Sequence, residues 1–326
     1  MCTALSFCPD QHYFGRNLDL DHSYNETVTI TPRNYPFIFR NGTHLSTHYA
    51  IIGMATVVDD YPLYYDATNE AGLSMAGLNF PNNAHYFPEN KSKTNISPFE
   101  FIPWILCKCT TVSEAVHLIV EMNLWNKPFN PEFPLSPLHW IISDRSRSVT
   151  VECTAEGLQV YDNPVGVLAN NPPFPYHLHN LANYMQLTPN HPQNNQPIEL
   201  KPYSLGMGSF GLPGDMSSGS RFVKAAFTKM HSKCESQEEK AVSQFFHILG
   251  SVCQQRGLTE TEPGKYEYTL YSSCCNTDKG IYYYTTYDNS QITAIDMHAE
   301  NLDGNKLTRF ELIYEPKFLY QNRSSK

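Results

Sequence analysis

Hydrophobic and polar positions divide the chain into five stretches, in the order strands, helices, strands, helices, strands. In the first stretch, apolar runs rich in β-branched residues are too short for helices and predict β-strands. The predicted strands cover residues 14–20, 26–31, 50–58, 63–68 and 72–80. The Asn69-Glu70-Ala71-Gly72 segment predicts a turn between the last two.

Two helices are predicted next, because in each case a Ser or Thr lies three residues before a Glu, the pattern of a capping box. Ser97-Pro98-Phe99-Glu100 predicts a helix over residues 98–108, with Pro at the first helical position. Thr111-Val112-Ser113-Glu114 predicts a second helix, which we expect to end near Met122. Its apolar positions at helical spacing predict one buried stripe of Ala115, Leu118, Ile119 and Met122.

The second half of the chain repeats this alternation of strands and helices. Strands are predicted over residues 138–143, 148–153, 158–161 and 165–168, and later over 267–274, 280–287, 292–296 and 307–314. A helix is predicted over residues 220–230, and Ser236 begins the capping segment of a stronger one that ends near Gln254. Residues 186–216, rich in Pro, Asn and Gly, predict a long loop, and loops of this length are usually functional or lie at interfaces.

This order has no βαβ alternation, so it predicts an α+β fold with helices packed on largely antiparallel sheets. No linker divides the chain, and we expect residues 1–326 to form a single domain. Composition agrees with a large buried core, because aromatic residues make up 13% of the chain and charged residues only 17%. The formal net charge of −9 argues against a nucleic-acid partner, which requires a basic surface.

The nine cysteines are an odd number, so they cannot all pair within one chain. The sequence shows neither a signal-peptide pattern nor an apolar run long enough to span a membrane, so we expect reduced thiols, a cytoplasmic location and no membrane partner. Cys107-Lys108-Cys109 and Cys274-Cys275 lack the spacing of zinc ligands, and no HExxH motif occurs. We therefore expect no metal and no cofactor.

Cys2 is the first candidate for chemistry, because initiator Met is commonly removed before a small residue. Its loss would leave a residue that carries both a thiol and an α-amine. An α-amine has a pKa of about 7.7–8.0, so it can accept a proton from the thiol and later donate one to a leaving amine. Taken alone, however, the Met1-Cys2 dipeptide favours an ordinary edge-strand cysteine.

Arg16 and Asp19 are the next candidates. If residues 2–7 and 14–20 form a hairpin, both side chains return towards Cys2. A guanidinium there would favour the thiolate, and a carboxylate would position the amine. A surface ion pair, worth about 0–1 kcal/mol, is the simpler interpretation of these two residues alone.

Asn79 and Asn170 each follow an apolar strand and lie within two residues of a proline. Amide groups at strand ends could donate to a developing oxyanion, although Asn and Pro are also ordinary turn residues. Arg221 lies at the start of a predicted helix, where the helix dipole disfavours a cation, which suggests an external partner or a solvated side chain.

In this order, these segments resemble the choloylglycine hydrolase family, which comprises conjugated bile salt hydrolases and penicillin V acylases and belongs to the N-terminal nucleophile hydrolases. The resemblance spans almost the whole chain. Its motifs are Met1-Cys2-Thr3, Phe14-Gly15-Arg16-Asn17-Leu18-Asp19, Asn69-Glu70-Ala71-Gly72-Leu73, Ala76-Gly77-Leu78-Asn79-Phe80, Leu138-His139-Trp140, Gly211-Leu212-Pro213-Gly214-Asp215, Ser220-Arg221-Phe222, Gln244-Phe245-Phe246-His247 and Lys279-Gly280-Ile281-Tyr282-Tyr283-Tyr284.

The resemblance implies a four-layer αββα sandwich and a catalytic set of Cys2, Arg16, Asp19, Asn79, Asn170 and Arg221. It implies that Cys2, freed of Met1, attacks the amide that joins a bile acid to glycine or taurine and forms a thioester that water hydrolyses. Asn at position 79 is similar to the bile salt hydrolases, whereas the penicillin acylases tend to carry Tyr there.

By the same resemblance, Leu18, Val58, Tyr65, Phe129 and Phe133 would line the steroid site, and residues 186–216 would take part in a homotetramer. Two other interpretations stay open: an acylase acting on penicillin V or an acyl-homoserine lactone, and a steroid-binding protein without turnover. The sequence does not decide between glycine and taurine conjugates.

Overall fold

The computed structural model describes residues 1–322, in which two large β-sheets lie face to face between two layers of helices. The strands are β1 (Cys2–Phe7), β2 (Tyr13–Leu20), β3 (Thr27–Thr31), β4 (Phe37–Ile38), β5 (His44–Leu45), β6 (Ile51–Val58), β7 (Tyr61–Asn69), β8 (Ser74–Asn79), β9 (Thr94–Ile96), β10 (Met122–Leu124), β11 (Leu138–Ser143), β12 (Ser148–Thr154), β13 (Gly157–Asp162), β14 (Val167–Leu168), β15 (Thr259–Glu262), β16 (Lys265–Asn276), β17 (Ile281–Thr286), β18 (Thr293–Asp296) and β19 (Thr308–Glu311). The helices are α1 (Phe101–Lys108), α2 (Val112–Val120), α3 (Phe174–Leu181), α4 (Ser218–His231) and α5 (Glu238–Gly250).

Both large sheets are antiparallel throughout. The first has the strand order β14-β1-β2-β16-β17-β18, with β15 added beside β16. The second has the order β13-β12-β11-β8-β7-β6-β3-β19. Two pairs lie outside them, the antiparallel β4-β5 and the parallel β9-β10.

Each sheet is covered on its outer face by helices. The apolar faces of α1 and α2 pack on the second sheet around Trp140, whereas α4 and α5 pack on the first sheet. Because both faces are covered, all six residues of β1 are buried, which explains why its sequence lacks polar alternation. The α+β class and the four-layer αββα arrangement expected from the sequence are confirmed.

The structure corrects the boundaries of two predicted helices and adds one helix that was not predicted. The second predicted helix ends at Val120, and Met122 belongs to β10 instead of the helical stripe. The helix expected from Ser236 to Gln254 begins at Glu238, without a side-chain cap, and ends at Gly250. The sequence did not predict α3, because eight residues with a proline in the first turn give little helical periodicity.

Residues 186–216 form a long loop, as predicted, with one 3₁₀ turn at Met207–Ser209. The loop folds back on itself, since the N–H of Thr188 donates to the carbonyl of Gly208 at 3.0 Å. A Cβ at position 208 would lie 1.9 Å from the carbonyl oxygen of Asn190, so only glycine permits this approach.

No helix in the described part of the chain is long and apolar enough to cross a membrane.

Candidate active site

Cys2 begins β1 and is 2% exposed. The hairpin expected from the sequence is present, and β1 pairs with β2 so that Cys2 lies opposite Leu18 and Ala4 opposite Arg16. The backbone N–H of Cys2 donates to Oδ1 of Asn170 at 2.8 Å. The first strand therefore carries its terminal thiol into the interior, beside side chains from two other segments.

Arg16 is a fully buried cation on β2. Its Nη1 donates to the carbonyls of Tyr65, at 3.1 Å, and of Gly77, while its buried Nη2 has no partner in the described residues. Burial opposes the charged form, but Cys2, Tyr271 and nearby carboxylates outweigh it and raise the pKa of Arg16. Gly15 permits this packing, since a Cβ there would lie 2.0 Å from the carbonyl oxygen of Ser273.

A buried carboxylate on the other sheet, that of Asp66, lies near Arg16. Asp66 on β7 accepts hydrogen bonds from Tyr271 and Tyr282, each at 2.7 Å, and from Ser273 at 3.1 Å. Burial raises its pKa, while Arg16 and these three hydroxyls lower it in part. Asp66 interacts electrostatically with Arg16. The sequence did not predict its place at the site, because a lone Asp in a strand has no motif.

Asp19, also on β2, is buried with one oxygen unpaired. Its Oδ1 accepts a hydrogen bond from Thr269 at 2.6 Å, and its Oδ2 has no partner within the described residues. Burial raises the pKa of Asp19, although Arg221 and the N-terminal ammonium oppose the shift. The carboxylate therefore has an unused acceptor close to the start of the chain.

Met1 contacts the main chain of Asp19. Its ammonium donates to the main-chain carbonyl of Asp19 at 2.9 Å and contacts the carboxylate of Glu267, and its own carbonyl accepts the N–H of Asp19 at 3.1 Å. Burial lowers the pKa of the Met1 ammonium, while Cys2 and Asp19 raise it in part. With Met1 attached, the nitrogen of Cys2 is an amide and cannot act as a base.

Asn79, Asn170 and Arg221 meet on the other side of Cys2. Nδ2 of Asn170 donates to the main-chain carbonyl of Asn79 at 2.6 Å, and Nη2 of Arg221 donates to Oδ1 of Asn170 at 2.7 Å. Nη1 of Arg221 donates to the carbonyl of Cys2 and to the hydroxyl of Thr3. Burial lowers the pKa of Arg221, while Asp19 and Cys2 oppose the shift. Arg221 thus has internal partners, and its place in the first turn of α4 needs no external ligand.

A cavity of about 380 Å³ opens from Cys2 between the second sheet and the segment 128–138. Four of the five residues expected at the substrate site line it: Leu18, Tyr65, Phe129 and Phe133. Val58 does not, because it ends β6 opposite Tyr61, at the turn formed by Asp59 and Asp60. The role of Val58 at the steroid site stays a prediction of the resemblance.

The outer wall of the cavity is an aromatic cluster. The sequence predicted Phe129 and Phe133 at this wall but not Phe99. The ring of Phe129 lies 5.2 Å from Phe99 and 6.3 Å from Phe133, measured between centroids. The guanidinium of Arg40 lies over both Phe99 and Phe129 and donates to the carbonyl of Phe129 at 2.6 Å. Phe99 was recognised only as part of a capping box, although the same Ser97-Pro98-Phe99 segment brings its ring to the cavity.

The other cysteines form no disulfides and no metal-binding group in the described residues. All nine are unpaired, and burial raises the pKa of the Cys107, Cys274 and Cys275 thiols. Within residues 1–322, no group of three His, Cys, Asp or Glu side chains is placed to hold a metal ion. The chemistry that the geometry offers is therefore that of a thiol with buried cations, carboxylates and amides around it.

The sequence of the chain from residue 2 to residue 310 matches the profile of the linear amide C–N hydrolases, choloylglycine hydrolase family. The chain belongs to the choloylglycine hydrolase family. The resemblance inferred from the motifs is thereby confirmed. This choloylglycine hydrolase is 53% identical to a bile salt hydrolase/transferase of Lactiplantibacillus plantarum, over 99% of this chain and 100% of that protein. It is 40% identical to a bile salt hydrolase/transferase of Clostridium perfringens, over 95% and 97% of the two chains.

Solved structures agree with this family assignment. The crystal structure of the C2A mutant of the conjugated bile acid hydrolase from Clostridium perfringens superposes with a TM-score of 0.91, at 39% identity, over 99% of this choloylglycine hydrolase and 100% of that chain. A penicillin V acylase from Agrobacterium tumefaciens gives a TM-score of 0.76 at 20% identity, over 97% and 95% of the two chains, and shares the fold. The N-terminal nucleophile hydrolase fold is thus confirmed.

Proposed function

We propose that the protein hydrolyses the amide bond of glycine- or taurine-conjugated bile salts and releases the free bile acid and the amino acid. The observation that carries the proposal is the placement of buried Cys2, in a family of linear amide hydrolases, on the wall of an apolar cavity. A steroid is a rigid apolar body and needs a concave apolar site with few polar groups. The names of the relatives support the same substrate class.

In the proposed reaction, removal of Met1 converts the nitrogen of Cys2 into a free amine. We propose that the unpaired Oδ2 of Asp19, a residue whose main chain contacts Met1, holds that amine. The amine accepts the thiol proton, the thiolate attacks the amide carbon, and the amine then protonates the departing glycine or taurine. A thioester on Cys2 remains. Water, deprotonated by the same amine, hydrolyses the thioester and restores the thiol.

The oxyanion formed in each attack needs donors beside Cys2. Nδ2 of Asn170 carries two hydrogens, and only one is used by the carbonyl of Asn79. We propose that the second donates to the oxyanion, together with a donor at Asn79. Arg16 and Arg221 supply positive charge in a buried site, where it acts more strongly than in water. No metal or cofactor takes part in this scheme.

Replacing Asn170 with alanine is expected to lower kcat for glycocholate by about 10²–10³-fold, the usual cost of one oxyanion donor. Asn171→Ala is the matched control, because the amide of Asn171 donates to the carbonyl of Pro81 and not towards Cys2. Steady-state kinetics of both variants measure the effect. A drop below fivefold for Asn170→Ala would remove Asn170 from the oxyanion site.

Replacing Phe129 with alanine is expected to raise KM for glycocholate about tenfold and to leave kcat within about threefold. The ring faces the cavity, and losing apolar contact of this size costs about 1–2 kcal/mol of binding. Val58→Ala is the comparison variant, because Val58 is not among the residues that line the cavity, and we expect its KM to be unchanged. An unchanged KM for Phe129→Ala would contradict the placement of the steroid.

Two other activities are compatible with the same fold, an acylase for penicillin V or acyl-homoserine lactones and a steroid-binding protein without turnover. Assays of glycocholate, taurocholate and penicillin V with one protein preparation distinguish them. The proposal expects either bile salt to be hydrolysed with a kcat/KM at least tenfold above that for penicillin V. Preference for penicillin V, or binding of bile salts without release of the amino acid, would overturn it.

We also propose that the protein is a homotetramer whose contacts involve residues 186–216. This loop exposes large apolar side chains, and a large exposed apolar patch usually marks a surface that another protein or subunit covers. They are Ile198, Leu200, Tyr203, Leu205 and Phe210. Native mass spectrometry should give four copies, with smaller species for a Tyr203→Ser/Leu205→Ser double variant. A monomeric wild-type protein at micromolar concentration would refute this proposal.

A cytoplasmic location and a single domain over residues 1–326 complete the proposal. Nine unpaired thiols suit a reducing compartment, which also protects a catalytic thiol. One core joins residues of both halves of the chain, from Cys2 to Leu312, and supports one domain, although residues 323–326 lie outside the described part. Cell fractionation and limited proteolysis test these two points, and the proposal excludes nucleic-acid and membrane partners.

A further inference from the structure

The buried pair of His139 and Glu152 has no role in the mechanism proposed above. His139 belongs to the Leu138-His139-Trp140 motif and lies on β11, next to Glu152 on the adjacent strand β12. Both side chains are 0% exposed, and Nδ1 of His139 lies 3.0 Å from Oε1 of Glu152. A pair this deeply buried loses its hydration, and apolar residues of similar size often stabilise a core equally well. Stability alone therefore does not explain it.

The surrounding contacts fix the orientation of the imidazole. Nε2 of His139 lies 2.9 Å from the carbonyl oxygen of Ala169, and because a carbonyl only accepts, this nitrogen carries a hydrogen. Oε1 of Glu152 also accepts the N–H of Phe174, at 2.9 Å, in the first turn of α3. One proton lies between Nδ1 and the carboxylate, whichever of the two holds it. The ring is thus held at both nitrogens.

This imidazole contacts the two strand ends that carry the proposed oxyanion donors. Ala169, whose carbonyl accepts from the ring, directly precedes Asn170. Phe80, which directly follows Asn79, stacks on the ring with a centroid distance of 4.3 Å and an interplanar angle of 5°. One side chain therefore lies against both neighbours of the asparagine pair, on the side away from the cavity.

A second histidine holds the other side of the same segment. Nε2 of His177 lies 2.8 Å from the carbonyl oxygen of Asn170, and Nδ1 of His177 is buried without a partner in the described residues. Burial lowers the pKa of His177, so the neutral ring with a hydrogen on Nε2 is the form that fits. With Phe174 bound to Glu152, the segment 169–174 is attached at both ends.

We propose that His139, held by Glu152, is a positioning residue that sets the separation and orientation of Asn79 and Asn170. The inference rests on the proposed function, because it assigns these asparagines to the oxyanion site. A displacement of about 1 Å at such a site can cost about 10²-fold in rate. Without the ring, Ala169 loses its donor and Phe80 loses its packing partner, so both asparagines can shift.

The test is a set of four variants assayed with glycocholate. His139→Phe keeps an aromatic ring on Phe80 but has no donor, and we expect a 10–100-fold lower kcat with KM within about twofold. Glu152→Gln can keep only one of the two contacts that Oε1 makes, because an amide nitrogen there donates to Nδ1 of His139 but cannot accept from Phe174, so we expect a loss of kcat of about 3–10-fold. Glu152→Leu keeps neither contact and should behave like His139→Phe. His12→Gln is the control, since His12 is equally buried but bonds to Ser6, Ser143 and Thr277.

A double-mutant cycle separates positioning from general loss of structure. If His139 acts through Asn170, then His139→Phe in an Asn170→Ala background should cost less than about threefold further. The alkylation rate of Cys2 by iodoacetamide, which needs no oxyanion donor, should stay within about twofold in His139→Phe. If that variant does not fold, His139→Gln, which can still donate to Ala169, replaces it and should lose about 5–20-fold in kcat.

The outcomes distinguish this inference from the function on which it rests. A wild-type protein that hydrolyses neither glycocholate nor taurocholate overturns the proposed function. Active wild-type protein with an unchanged kcat in His139→Phe overturns the positioning role alone. Equal losses for His139→Phe in the wild-type and Asn170→Ala backgrounds also overturn it, because His139 would then act independently of Asn170.

Discussion

Replacing Cys2 with alanine is expected to lower the rate of glycocholate and taurocholate hydrolysis by about 10⁴-fold or more, because the nucleophile of a covalent mechanism has no substitute. The residual reaction would have to use water directly on the amide. Cys2→Ser keeps an oxygen nucleophile but lacks a thiolate at neutral pH, so we expect it to be nearly as inactive. Binding should survive, since the cavity walls are unchanged.

Cys8→Ser is the matched control for this prediction, because Cys8 follows the same strand but is exposed and lines a different, polar cavity. Its activity should match that of the wild type. Release of glycine, measured by amine derivatisation, gives the rate, and isothermal titration with glycocholate tests binding to Cys2→Ala. Activity above one per cent in Cys2→Ala would contradict the assignment of the nucleophile.

Retention of Met1 is expected to lower activity by about 10³-fold or more, although the Cys2 thiol is then intact. The structure with Met1 attached gives the reason. The nitrogen of Cys2 is an amide that donates to Oδ1 of Asn170, and the Met1 ammonium lies at the carbonyl of Asp19. A free amine with an ordinary pKa of about 7.7–8.0 is missing at Cys2, so the thiol and the leaving group lose their base and acid.

An N-terminal tag with a protease site directly before Cys2 provides the experiment. The uncleaved protein should be inactive, and cleavage that leaves Cys2 first should restore activity, while a C-terminal tag serves as the matched control. Oδ2 of Asp19, which is unpaired while Met1 is present, should then bind the new amine. Full activity of the uncleaved protein would show that the amine of Cys2 is not needed.

The strands of this fold were predictable because their sequences are short, apolar and β-branched, and β11 was placed to the residue. The ends of the helices were harder to predict from the sequence. Burial of Met122 against β9 continues the apolar spacing of α2 after the helix has ended, so the pattern alone extends it. α3 is short, has a proline in its first turn and has no side-chain cap, so its local sequence does not predict a helix.

The residues of the candidate site also fall into those that the sequence could predict and those that it could not. Cys2, Arg16 and Asp19 could be grouped because one hairpin brings them together. Asn79 and Asn170 could be grouped because Asn79 ends β8 and Asn170 follows β14 by two residues. Asp66 and Glu267 could not, because they reach the site through contacts between strands that are far apart in the sequence. The His139–Glu152 pair could not, because its link to the site runs through Ala169, Phe174 and Phe80. Val58 ends β6 opposite Tyr61 and is not among the residues that line the cavity, so its place at the steroid site stays a prediction.

The central claim, a free N-terminal Cys2 as the nucleophile, is tested most directly by intact-mass spectrometry of active protein after brief exposure to iodoacetamide. The account predicts a mass without Met1 and a single rapid adduct that maps to Cys2, with activity lost in proportion to the adduct. Glycocholate added beforehand should slow the modification. Active protein that retains Met1, or inactivation that follows an adduct on another cysteine while Cys2 stays unmodified, would contradict the account.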